Sequence, residues 1–145
     1  MIVIDSELII GLYLPTDYSD LSEAVFRKDP YWLAPYVWRS ELLSVVSMYL
    51  KKGIIAQPKA NEVVDLAEMH MKNRDYRAVA YDILQRASES GLQVRDCEYV
   101  SLAAFTSVKY VTMNKQVLAA YPEIAMEPDR FSRHSDPEDG SGRLI

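Results

Sequence analysis

A chain of 145 residues with 16 Lys and Arg, 21 Asp and Glu and 49% hydrophobic residues has the apolar content to bury a core, which excludes disorder for the bulk of it and fits a single domain. The formal charge of −5 argues against a protein that holds nucleic acid by bulk electrostatics, while leaving room for a small site that meets phosphate through bound cations. The lone cysteine Cys97 forms no intramolecular disulfide, two histidines are too few for a histidine-rich zinc site, no stretch approaches the ~18 apolar residues of a membrane span, and the first basic side chain is only Arg27, all of which points to a cytoplasmic protein.

In chain order, Met1 to Ile4 predicts a short buried strand that ends at Asp5. Ser6 is placed to cap a helix whose apolar positions are Leu8, Ile9, Leu12 and Tyr13. A second helix is expected over Asp17 to Phe26, capped by Ser19 or Asp20, with Leu21, Ala24 and Val25 inward. Tyr31 to Ala34 reads as a strand stopped by Pro35, and Val37 to Lys52 as the longest helix, closed by Lys51, Lys52 and Gly53. Further helices are expected from Pro58 to Met71 and from Tyr76 to Ser90, the latter stopped by Gly91. A short strand near Gln93 and Val94, a helix from Asp96 to Ser107, a strand over Val108 to Thr112, a helix from Lys115 to Ala120 and a strand near Ile124 to Met126 complete the body. Ser132 to Ile145 has Pro137, Gly140 and Gly142 and little apolar content, so the expectation is a folded domain over residues 1–131 and a flexible tail over 132–145. Strands alternating with helices predict an α/β fold with a mostly parallel sheet covered on both faces, and such sheets bind ligands beyond the carboxyl ends of their strands.

Most catalytic devices are absent from the pattern. The five glycines supply neither a phosphate-binding G-x-x-x-x-G-K-[ST] loop nor a dinucleotide G-x-G-x-x-G turn. His70 lies mid-helix and His134 in the tail, which leaves Cys97 and the serines without an evident base. Carboxylates in apolar settings remain. Asp5 ends the first strand on the face of Val3, at the ligand-binding edge, and also suits a helix N-cap. Glu41 shares a helix side with Val37, Val45 and Met48, so it faces inward and needs either a metal ion or a core-facing base as partner. Asp96 shares a face with Val100 and Ala103, whereas Glu98 points about 160° away at 100° per residue. Thr112 and Asn114 follow a strand, and Asn114 is equally placed to cap the next helix. Oxygen ligands of this kind suit Mg²⁺, and a carboxylate site without histidine suits metal-assisted phosphodiester hydrolysis.

These segments carry a resemblance. I-V-I-D-S, W-R-S-E-L-L followed by Y-L-K-K-G-I, R-D-C-E-Y-V-S-L-A and V-T-M-N-K-Q-V, in this order over about residues 1–127, resemble the four blocks of PIN-domain proteins, close in pattern to the VapC-type ribonuclease toxins of bacterial toxin–antitoxin pairs. The resemblance maps the first three family acids onto Asp5, Glu41 and Asp96, and places Asn114 where the family usually has a fourth carboxylate. It implies a three-layer α/β/α sandwich that binds Mg²⁺ or Mn²⁺ and cleaves RNA. Asp5 and Asp96 would bind the metal, Glu41 would complete the shell or orient water, and Asn114, Thr112 and Ser6 would support them. It also implies a homodimer and a small antitoxin that covers the site. Arg39, Lys51, Lys52 and Arg95 flank the acidic blocks and are the candidate RNA contacts, with Tyr36, Trp38 and Tyr49 as possible stacking platforms. The amide at Asn114 and the negative body motivate the alternative, a non-catalytic interaction protein that keeps the fold.

Overall fold

Five short runs pair into one sheet, β1 and β4 being made wholly of β-branched or aromatic residues: β1 (Ile2–Ile4), β2 (Trp32–Pro35), β3 (Asp75–Tyr76), β4 (Tyr110–Val111) and β5 (Ala125–Met126). All neighbours are parallel and the order is β3-β2-β1-β4-β5, so the chain starts at the centre and builds outward in both directions. The computed structural model describes residues 1–133, and the flexible tail expected from the sequence falls, from residue 134 on, outside the described residues.

Parallel neighbours need crossovers, and eight helices among the described residues provide them: α1 (Ser6–Tyr13), α2 (Ser19–Lys28), α3 (Val37–Lys51), α4 (Gln57–Met71), α5 (Ala80–Ser90), α6 (Val94–Thr106), α7 (Lys115–Ala120) and α8 (Pro128–Arg133). Helices α1 to α4 pack on one another, whereas α5 pairs with α6, which lies along β1, β2 and β4. The result is the expected three-layer α/β/α arrangement around a parallel sheet. Its core runs through Val3, Ile4, Leu8, Ile9, Trp32, Leu42, Val100 and Tyr110, all fully buried. At Gly11 α1 and α2 approach so closely that a Cβ would stand 2.5 Å from Ser22 Oγ, which is why only glycine fits there.

The expected elements stand, with four differences that have local causes. The predicted strand at Gln93 and Val94 is absent: Gly91 ends α5 in the left-handed region at φ +74°, and Gln93 is already the N-cap of α6. Conversely, Asp75 and Tyr76 form an edge strand instead of opening a helix, because the backbone carbonyls of Arg74 and Tyr76 accept from Ala34 and Tyr36 of the β2 segment at 3.2 and 3.1 Å. Two polar edge residues carry no alternation for a pattern to detect. Helix α2 begins at Ser19 without a side-chain cap, since Ser19 Oγ instead accepts from Thr16 N and donates to Leu14 O. Finally α8 folds back onto α2, where Lys28 Nζ reaches Phe131 O at 2.5 Å, so helical structure continues to Arg133.

Candidate active site

Strand register decides what meets Asp5. Val3 lies beside Tyr110 and Ile4 beside Val111, so continuing the parallel ladder sets Asp5 next to Thr112 at the carboxyl edge. Thr112 Oγ1 donates to Asp5 Oδ2 at 2.6 Å and Tyr110 Oη donates to the same oxygen at 3.1 Å. Asp5 Oδ1 accepts from Glu7 N at 3.3 Å and from Ser6 Oγ at 3.5 Å, which makes Asp5 rather than Ser6 the N-cap of α1. All of Asp5, Ser6 and Thr112 are buried, so each of these donors would be costly to leave without its acceptor.

The other two acids arrive on helices. Helix α3 starts directly after β2 and holds Glu41 in its second turn, half-buried as its spacing predicts, although Met48 further along is exposed. A helix that leads into a parallel strand runs antiparallel to it, so the N-terminus of α6, which precedes β4, also lies at the carboxyl edge. That end carries Arg95 and Asp96 in its first turn, with Tyr99 one turn on.

The acids meet on Arg95. Its Nε donates to Glu41 Oε2 at 2.5 Å, its Nη1 contacts Asp96 Oδ1 at 2.6 Å, and its Nη2 lies 3.8 Å from Asp5 Oδ1 and also touches Glu41 Oε2. Partial burial works against the guanidinium's charge, but the Glu41 and Asp5 carboxylates outweigh it and hold its pKa above the ordinary arginine value. Tyr99 Oη donates to the second oxygen of Glu41 at 2.7 Å, and its ring stacks on Tyr110 with centroids 5.2 Å apart. Burial, followed by the neighbouring Glu41 and Asp5 charges, pushes the Tyr99 hydroxyl well above its usual pKa, and Tyr110 responds likewise to burial and Asp5. Both phenols therefore stay protonated and donate. Glu7 and Glu98 rim the cluster, their pKa values raised by burial first, with the Asp5 charge next for Glu7 and the Glu41 charge next for Glu98.

Asn114 touches the cluster with its nitrogen. Its Oδ1 accepts from Gln116 N at 3.0 Å and Val117 N at 3.2 Å, capping α7, which leaves Nδ2 to donate to Asp96 Oδ1 at 3.3 Å. The two backbone donors fix that orientation, because a flipped amide would oppose N–H to N–H. Asn114 thus stands as a helix cap and as a donor to Asp96, and its oxygen is not turned to the acids.

Of the other expected contacts, Arg39 is exposed and pairs with Glu68 at 2.6 Å. Lys51 and Lys52 are exposed at the far end of α3, ten residues from Glu41 and so about 15 Å along the helix. Tyr36 is exposed, Trp38 is buried with its indole donating to Asp75 Oδ2, and Tyr49 Oη donates to Pro15 O. Tyr99, Tyr110 and Glu7 join the cluster without having been singled out by pattern. Their signal is spacing: Tyr99 is three residues after Asp96 on a helix, and Tyr110 two before Thr112 on a strand.

No protein-family model matches the chain. It is 23% identical over 126 residues to Ribonuclease VapC3 of Pyrobaculum aerophilum, a match that spans 85% of this chain and 96% of that protein. The similarity is distant but runs along most of both chains. No helix of the described residues is long and apolar enough to cross a membrane.

The donor set of Asp5, Glu41 and Asp96 is all hard oxygen, which fits Mg²⁺ or Mn²⁺. Yet among the described residues no group of three or more acidic, histidine or cysteine side chains is arranged around a common ion position. The guanidinium of Arg95 stands where their oxygens face one another.

Proposed function

We propose that the chain is a Mg²⁺- or Mn²⁺-dependent endoribonuclease, the toxin of a toxin–antitoxin pair, with Asp5, Glu41 and Asp96 as its acidic centre. One observation carries the reading: acids 36 and more residues apart in the chain are delivered by β1, α3 and α6 to a single guanidinium at the carboxyl edge of the sheet. The distant similarity to a ribonuclease supports the same reaction class.

A divalent cation held by Asp5 and Asp96 would supply a water of lowered pKa and charge neutralisation at a phosphodiester. The chain's own groups do the positioning. Thr112 and Tyr110 lock one oxygen of Asp5 and leave Oδ1 turned to the cluster. Tyr99 locks Oε1 of Glu41, so Oε2 faces the same place, and Asn114 steadies Asp96 through its amide N–H. RNA is the substrate, a small antitoxin the inhibitory partner, and a cytoplasmic homodimer the working form. Lys51 and Lys52 act only on the distal part of a bound RNA.

The test is purified protein with structured RNA and Mg²⁺ or Mn²⁺. Cleavage is expected, is abolished by EDTA, and falls by at least about 100-fold in Asp5→Asn and Asp96→Asn, the scale of loss on removing one electrostatic catalytic element. Metal-independent cleavage, or cleavage untouched by these substitutions, refutes the reading. A second reading, a non-catalytic interaction protein of the same fold, is favoured by the saturation of all three acids with Arg95. It predicts no cleavage and no binding of divalent ions.

A further inference from the structure

We infer that Arg95 is the resident cation of the acidic cluster and that a divalent metal ion binds there by displacing it. The inference rests on the site proposed above and concerns how that site is loaded. Arg95 spends its donors on the oxygens that face inward: Glu41 Oε2, Asp96 Oδ1 and, further off, Asp5 Oδ1. The remaining oxygen of Asp5 and of Glu41 is already taken by Tyr110 and Thr112 or by Tyr99. A metal ion at about 2.0–2.2 Å from these inward-facing oxygens and a guanidinium nitrogen beside the same atoms claim the same space.

Two features argue against Arg95 being a permanent structural member of the cluster. It sits in the first turn of α6, where the helix dipole disfavours a cation, so the acids and the Tyr99 ring, 5.4 Å from the guanidinium carbon, hold it there against the helix. Its side chain also keeps 33% of its surface exposed, against 21% for Glu41, 5% for Asp5 and 6% for Asp96, so it has a route out to solvent that the two aspartates lack. A single positive charge against three carboxylates leaves the cluster negative, and a divalent ion compensates it better. Exchange of one for the other needs only a rotation of the arginine stem, while Asp5 and Glu41 stay pinned by their hydroxyl donors.

The experiment is calorimetric titration of Mn²⁺ into the full chain, as wild type, Arg95→Gln, Arg95→Lys and, as a remote control, Arg39→Gln. Arg95→Gln is expected to bind Mn²⁺ at least about tenfold more tightly than wild type, or ~1.4 kcal/mol. Arg95→Lys should fall between them, and Arg39→Gln should match wild type. In case the Gln variant folds poorly, a second measurement uses wild type alone: the Nε–H resonance of Arg95 followed by ¹H–¹⁵N NMR as Mg²⁺ is added. Its exchange with water should rise to that of an exposed arginine as the ion binds. Equal or weaker Mn²⁺ binding by a folded Arg95→Gln, or an Arg95 resonance unchanged at saturating Mg²⁺, overturns the inference while leaving the nuclease reading intact. Absence of any ion binding in wild type and Arg95→Gln alike overturns both.

Discussion

Two of the polar clusters among the described residues enclose a basic side chain, one holding it charged and the other neutral. At the carboxyl edge of the sheet Arg95 keeps its charge among three carboxylates. On the far side of β2, His70 of α4 packs against Phe26 and Trp32, with ring centroids 5.3 and 5.2 Å away. Tyr13 Oη meets His70 Nδ1 at 2.8 Å, while Nε2 lies 3.4 Å from Pro30 O. With Nε2–H directed at a carbonyl, Nδ1 is the acceptor and Tyr13 the donor, a pairing that needs the neutral ring. Burial accordingly lowers the pKa of His70 and raises that of Tyr13 to about 12. Tyrosine hydroxyls serve in both places. What differs is the base and its surroundings: an arginine keeps its proton at any ordinary pH and gathers carboxylates, whereas burial, with the Arg74 charge adding to it, holds the histidine neutral.

The sharpest way to break this contrast is His70→Ala, which empties an aromatic cage and leaves Tyr13 without its acceptor. Urea unfolding at pH 7.5 should show a loss of about 2 kcal/mol. Because the folded-state pKa of His70 is depressed, its contribution is complete above the unfolded value near 6.5 and is lost as pH falls through the folded one. The deficit of the variant should therefore shrink by pH 5.5; a deficit independent of pH removes the neutral ring from the account. Tyr110→Phe probes the charged cluster and deletes one of two hydroxyls on Asp5 Oδ2, with an expected cost of about 1 kcal/mol, read in the same denaturation experiment. Smallest is Glu98→Gln. Its raised pKa means that the ionised form is disfavoured by folding, so the variant should gain a few tenths of a kcal/mol at pH 7, roughly the scale of a half-exposed charge pair. That gain should vanish below about pH 4, where wild type carries the proton in both states. A loss of stability at pH 7 would contradict the sign.

How far the sequence reaches is visible in single residues. Asp5, Glu41 and Asp96 are legible because strand ends and helix faces are set by periods of 2 and 3.6, and a carboxylate on an apolar face has few places to go. Arg95 is not, because its neighbour Asp96 fixes only where the backbone points, while a long flexible stem decides what the guanidinium reaches. The amide of Asn114 shows a different limit: cap and donor are both available to one side chain, and only the positions of Gln116 N and Val117 N tell which atom does which. The parallel pairing could be anticipated from alternating elements, but the edge strand at Asp75 and Tyr76 could not, since its pairing depends on β2 and not on its own composition.

The central position of β1 has a consequence for how the molecule comes into being. Asp5 Oδ2 receives its two hydroxyl donors from residues 105 and 107 positions later in the chain. During synthesis from the N-terminus, the acids at 5 and 41 are therefore made long before the strand that seats the first of them, and Asp96 shortly before it, and loop closure over the longer span is slow. A nascent chain that stops short of β4 holds every acidic residue of the cluster and none of the order that aims Asp5. Competence at this edge is a property of the nearly finished polypeptide, acquired late and all at once.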